Sequence, residues 1–152
     1  QWNVSDFHDS CDGKGPTLTV IRTSRGDVFG GFCNKSWSSS GGFKASKRAF
    51  LFALKCQREL PPTKMKLKSE SDNCAVYHSR DYGPTFGLGH DISLGKNSFT
   101  HIGYSYECPT DQTDNCFLTG DYNFQLKEVE IFSVKGKKLR ERGAADTESC
   151  CL

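Results

Sequence analysis

In "PTLTVIRT", Leu18 and Val20 alternate with Thr17 and Thr19, and the run is dense in β-branched residues. That pattern predicts a strand. After the turn "SRGD", the run "VFGGFC" predicts its hairpin partner, and Gly30 and Gly31 within it mark a bulge or a close backbone approach. "AFLFALK" places Phe50, Phe52 and Leu54 at period two, a strand pattern short enough to fit a buried helical turn as well. "NCAVYHS" and "FTHIGYSYEC" read as further strands. In "FQLKEVEIFSV", Leu126, Val129, Ile131 and Val134 are apolar with Glu128 and Glu130 between them, so one face is dry and the other charged.

The segments between these runs are turn material. "SDFHDSCDGKG" has Ser5 and Asp6 to start a helix and Gly13 and Gly15 to end one, which predicts about two helical turns. "SWSSSGGFKASK" is a loop with Trp37 as its one large apolar anchor, and Pro61, Pro62 and the basic "TKMKLK" read as an exposed connection. Short strands, glycine-bearing turns and little helix predict a mainly β (α+β) fold, an antiparallel sandwich or barrel with a few helices around it. With 152 residues the chain is the size of one domain. The charged "KGKKLRERGAADTESCCL" is expected to lie outside it as a tail, which divides the chain into a domain over 1–134 and a tail over 135–152.

Charge changes the picture little. A net charge of +2 argues against a dedicated nucleic-acid binder. Lys44 to Lys68 carries eight Lys or Arg against Glu59, and Glu107 to Glu130 carries six acids against Lys127, a segregation suited to opposite solvated faces. Two sequons, at Asn3 and Asn34, matter only in a secreted chain, and no signal peptide or long apolar span is visible; the expectation is a cytoplasmic protein. Membrane contact is expected only through lipid on Cys150 or Cys151, because the C-a-a-X position is filled by Ser149.

Candidate chemistry centres on "YGPTFGLGHDISL". It lacks the Lys of a phosphate-binding loop, and "ISL" reads as strand where a dinucleotide fingerprint needs a helix. His90 and Asp91 are neighbours on an extended chain, which points them apart and disfavours shared ligation of one metal. The glycines are therefore read as backbone devices, with Phe86 and Leu88 facing the core and His90 and Asp91 available to a partner. Eight cysteines offer thiol chemistry, and Cys56, between Lys55 and Gln57-Arg58, best fits a thiol activated by nearby cations. No nucleophile elbow is present, and no cofactor is expected.

The ordered set "SDFHDSCDGKGPTLTVIRT", "VFGGFCNKSWS", "KRAFLFALK", "YGPTFGLGHDISL", "SYEC" and "FQLKEVEIFSV" resembles the TLDc domain of eukaryotic oxidation-resistance proteins over residues 2 to 134. The resemblance implies a two-sheet antiparallel β-sandwich flanked by a few short helices, with no catalytic site. It further implies a protein-interaction module tied to oxidative-stress resistance and to the vacuolar-type proton pump (vacuolar ATPase), with thiol-based redox protection as the alternative. Its motif positions fall on Gly83, Phe86, Gly87, Asp91, Glu128 and Glu130. Where the family has Trp and Asp after Phe-Gly-Leu, this chain has Gly89, His90 and Asp91. The family usually opens with a strand ending just before the position of Trp2; its absence would leave a sheet edge for another segment or chain to fill.

Overall fold

The computed structural model describes residues 2–109 and 115–135, and the backbone of 146–149. Two antiparallel sheets face each other, the sandwich that the TLDc resemblance implies. One contains β1 (Thr17–Thr23), β2 (Val28–Cys33), β4 (Phe50–Lys55), β5 (Thr63–Lys66), β10 (Leu126–Lys135) and β11 (Asp146–Ser149), in the order β11-β10-β1-β2-β4-β5. The other contains β3 (Gly42–Lys44), β6 (Val76–His78), β7 (Thr85–Phe86), β8 (Ile92–Ser93) and β9 (Phe99–Thr100), in the order β3-β6-β7-β8-β9. The helix α1 (Val4–Cys11) and a 3-10 turn at Ser69–Cys74 complete the described elements.

The core lies between the sheets. Ile21, Phe29, Leu51, Met65, Val129 and Ile131 point inward from the first sheet and Val76, Phe86 and Ile92 from the second, all fully buried. Gly31 makes the close approach expected of it: a Cβ there would lie 2.6 Å from the Phe86 ring and 2.9 Å from Leu51. Trp37 anchors its loop as predicted, donating Nε1–H to Thr17 Oγ1 at 2.8 Å and packing edge-on against Phe7 and Phe86. One side chain thus ties the helix, the first sheet and the second sheet together.

Several local expectations are corrected. The helix starts earlier than Ser5 and Asp6 suggest, because Asn3 is the cap; its side-chain oxygen accepts from the Asp6 amide at 2.8 Å. Thr63–Lys66 is a paired edge strand and not an exposed connection, since Met65 is buried opposite Leu51 while the lysines on either side face out. In β4 the inward residues are Leu51 and Ala53; Phe50 and Phe52 point to the other face of the sheet and Leu54 is 51% exposed. Both phases of that run are apolar, so periodicity alone does not choose between them. Polar Asp146–Ser149 adds an edge strand to β10, with Phe132 opposite Ser149 and Lys135 opposite Asp146. An edge strand needs only backbone partners, which a polar sequence supplies as well as an apolar one.

A candidate partner-binding surface

The turn between β7 and β8 organises one face of the second sheet. Gly87 has φ of 89° and His90 φ of 54°, left-handed geometry that reverses the chain within a few residues. That reversal breaks the strand alternation after Phe86. Phe86 is fully buried as predicted, whereas Leu88, predicted to face the core, is 43% exposed.

Asp91 is the second correction. Read from sequence as available to a partner, it is wholly buried, and its carboxylate accepts the backbone amides of Gly103, Tyr104, Ser105 and Tyr106 at 3.0 to 3.2 Å. Burial pushes its carboxyl above the ordinary aspartate range, against those amides, which pull it down. The role of Asp91 is to hold the 103–106 loop against the β7–β8 turn. Gly87 is required there because a Cβ would collide with the Asp91 carboxylate. Gly83 fits the same pattern, with the Trp2 ring 2.6 Å from where its Cβ would stand.

His90 stays near the surface, half-buried, and joins a continuous series of rings. Phe43 of β3 lies opposite Tyr77 of β6, with ring centroids 4.9 Å apart. Tyr77 is 5.0 Å from His90, His90 is 6.1 Å from Phe99, and Phe99 stacks on Tyr122 at 4.8 Å and 10° between planes. Tyr82 packs edge-on against Tyr77 and His90, at 5.9 and 5.8 Å. All these rings are half-buried except Tyr122, which is 47% exposed. Helix α1 helps place Tyr82: His8 Nδ1 meets Asp12 at 2.9 Å, and its Nε2 sits 2.8 Å from the Ser79 carbonyl and 2.9 Å from that of Tyr82. Burial lowers the His90 pKa, so the imidazole is neutral near pH 7 and the whole belt is uncharged.

The remaining predicted positions lie elsewhere. Glu128 and Glu130 are on the outer face of the first sheet, on the far side of the sandwich from the belt, and Glu128 pairs with Arg22 at 3.7 Å. Cys56 is 5% exposed at the end of β4, where it lines a cavity of about 310 Å3 with Arg25, Asp27, Lys55 and Gln57. Cys33 is buried, and burial pushes its thiol up to about 11. Cys11 is disulfide-bonded. No group of three or more His, Cys, Asp or Glu that could hold a metal is found among the described residues. Phe43, Tyr77, Tyr82, Phe99 and Tyr122 were not singled out from sequence; the available signal was an aromatic between inward-pointing neighbours, which holds for Tyr77 between Val76 and His78 but not for Tyr82 and Tyr122, which lie in turns.

The TLDc domain profile matches residues 1–135. This chain belongs to the TLDc family. The TLDc sandwich expected from the ordered motifs is the fold observed. Curated relatives include the "MTOR-associated protein MEAK7" of Xenopus laevis, 42% identical over 127 residues, 80% of this chain and 27% of that protein. The chicken (Gallus gallus) protein of the same name is 26% identical over 146 residues, 82% of this chain and 29% of that one. The zebrafish (Danio rerio) protein matches a shorter stretch, 38% identical over 45 residues, 30% of this chain and 10% of that one. This TLDc chain therefore spans less than a third of the length of these relatives.

Proposed function

We propose that this TLDc domain is a non-catalytic protein-interaction module that docks through the aromatic belt of its second sheet. The observation that carries the reading is the run of mutually packed, partly exposed rings from Phe43 to Tyr122, held on β3, β6 and β9 and the turns beside them, with His90 neutral at physiological pH. Aromatic side chains at the centre of a contact supply large area at little entropic cost, and tyrosine is enriched among the residues that dominate binding energy. Family membership supports a protein partner, and the name shared by the relatives points to an mTOR-associated assembly as one setting. The partner proposed from the TLDc resemblance is the vacuolar-type proton pump, met in the cytoplasm; nucleic acid is not proposed, and no described helix is long and apolar enough to cross a membrane. The test is capture of pump subunits by the wild-type chain and by a Tyr77→Ser/Tyr82→Ser/Tyr122→Ser variant. Capture by the wild type that falls at least tenfold in the variant supports the reading. Equal capture by both refutes the belt, and no pump subunits with either refutes the pump.

A second reading, protection by thiol chemistry, is favoured by the number of thiols and by Cys56 lying beside Lys55 in a solvent-lined cavity. Peroxide titration decides it: a thiol that oxidises faster than free cysteine supports it, and uniform slow oxidation rejects it.

A further inference from the structure

We propose that two copies of this chain associate through the outer face of the six-stranded sheet, about a two-fold axis that runs along the strands. This face is separate from the aromatic belt, which the association leaves open. Strand register lines up two apolar rows on it. One runs Phe132, Leu18, Phe32, Phe50 and ends at Lys66; the next runs from Glu130 through Val20, Gly30 and Phe52 to Lys64. Phe32 and Phe50 stack at 5.3 Å, and Lys64 Nζ sits 4.2 Å from the Phe50 ring centroid. The Phe52 ring lies over Gly30, with its tip 3.0 Å from where a Cβ would stand. Every apolar side chain in the two rows is half-buried rather than covered.

The charges select the occupant and its orientation. The apolar rows lie between a basic edge on β5, Lys64 and Lys66, and Glu130 on β10, with Glu128 next along that strand and paired at 3.7 Å with Arg22 of the same copy. Rotating a second copy about an axis parallel to the strands lays its β10 over the first copy's β5. Lys64 then faces Glu130, Phe52 faces Val20, and Phe32 meets its own counterpart on the axis. An axis across the strands would instead set Lys64 and Lys66 against themselves, a like-charge contact that disfavours it. A self-complementary patch of this kind defines an isologous interface. The strands from β10 to β5, at about 4.8 Å spacing, make the patch roughly 19 Å wide, which places the contact at the small, weak end of stable interfaces.

Sedimentation velocity from about 10 µM to 1 mM reads the association directly, a concentration range suited to the weak binding expected of so small an interface. The expected result is a concentration-dependent shift from monomer to dimer mass in the wild type. Lys64→Glu/Lys66→Glu and Glu128→Lys/Glu130→Lys are each expected to weaken it at least tenfold, and an equimolar mixture of the two variants to recover the dimer. Recovery also shows that both variants are folded. A wild type that stays monomeric throughout, a dimer indifferent to both double substitutions, or a mixture that fails to recover would each overturn the proposal. If the wild type is monomeric but Phe32→Ser changes what the chain captures from lysate, the face serves a different protein and self-association is refuted.

Discussion

Replacing Asp91 tests whether the acid of the glycine-rich turn is a docking residue or a structural one. Asp91→Ala leaves four backbone amides without their acceptor. Gly103 is half-buried and Tyr104 exposed, so their amides can turn to water, but Ser105 and Tyr106 are fully buried. Each buried donor left unpaired costs about 1–3 kcal/mol, and two of them give about 2–6 kcal/mol, a large part of the ~5–15 kcal/mol that holds a domain folded. Asp91→Asn is gentler. Its carbonyl oxygen at the Oδ2 position keeps the Gly103, Tyr104 and Tyr106 amides and the longer 3.2 Å bond from the Ser105 amide, which loses its 3.0 Å bond to Oδ1 and meets an NH2 group there. A loss of about 1–3 kcal/mol is expected from that one mismatch. Urea unfolding of the three proteins measures both values, with the slope unchanged if only the native state is affected. In a thermal melt the alanine variant should fall by roughly 10 °C. An alanine variant within about 0.5 kcal/mol of wild type, the usual range for a surface change, would refute the structural role.

Three further outcomes follow from the packing. Gly31→Ala should destabilise by about 1–3 kcal/mol through the clash with Phe86, and Phe86→Leu in the same chain should recover part of it; an unaffected melt refutes the close approach. His78 is 1% exposed and burial lowers its pKa to about 4, so its neutral form is the one that fits the fold. Its contribution is therefore intact above pH 6.5 and is lost as pH falls from 6.5 toward 4, by up to about 3 kcal/mol; an imidazole NMR midpoint above 6 would contradict this. In the native protein iodoacetamide should label half-buried Cys74 well before buried Cys33, whose thiol sits near 11; mass spectrometry reads the order, and equal rates reject it.

Local pattern was enough to narrow the fold to an antiparallel sandwich or barrel and to place most of its strands; the order of the family motifs decided for the sandwich. Period-two alternation marks β1 and β10 as strands, and in β10 it puts Val129 and Ile131 inside and Glu128 and Glu130 outside; in β1 it is the Thr17, Thr19 and Ile21 phase that faces the core and the Leu18 and Val20 phase that lies on the outer face, because pairing with β10 and β2 sets the phase. Gly31, Trp37 and the glycines of the β7–β8 turn were legible as well, because tight turns and close approaches restrict residue type. The same reasoning could not decide β4, where both faces are apolar, nor Met65, an apolar residue between two lysines whose burial depends on Leu51 across the sheet. Asp91 was misplaced for a related reason. A carboxylate next to a histidine after a turn looks like surface until the amides of Gly103 to Tyr106, remote in sequence, close over it. The aromatic belt and the opposed charged edges of the first sheet are likewise products of tertiary structure. Their members come from distant strands, and only strand pairing sets Phe43 beside Tyr77, or Lys64 across the sheet from Glu130.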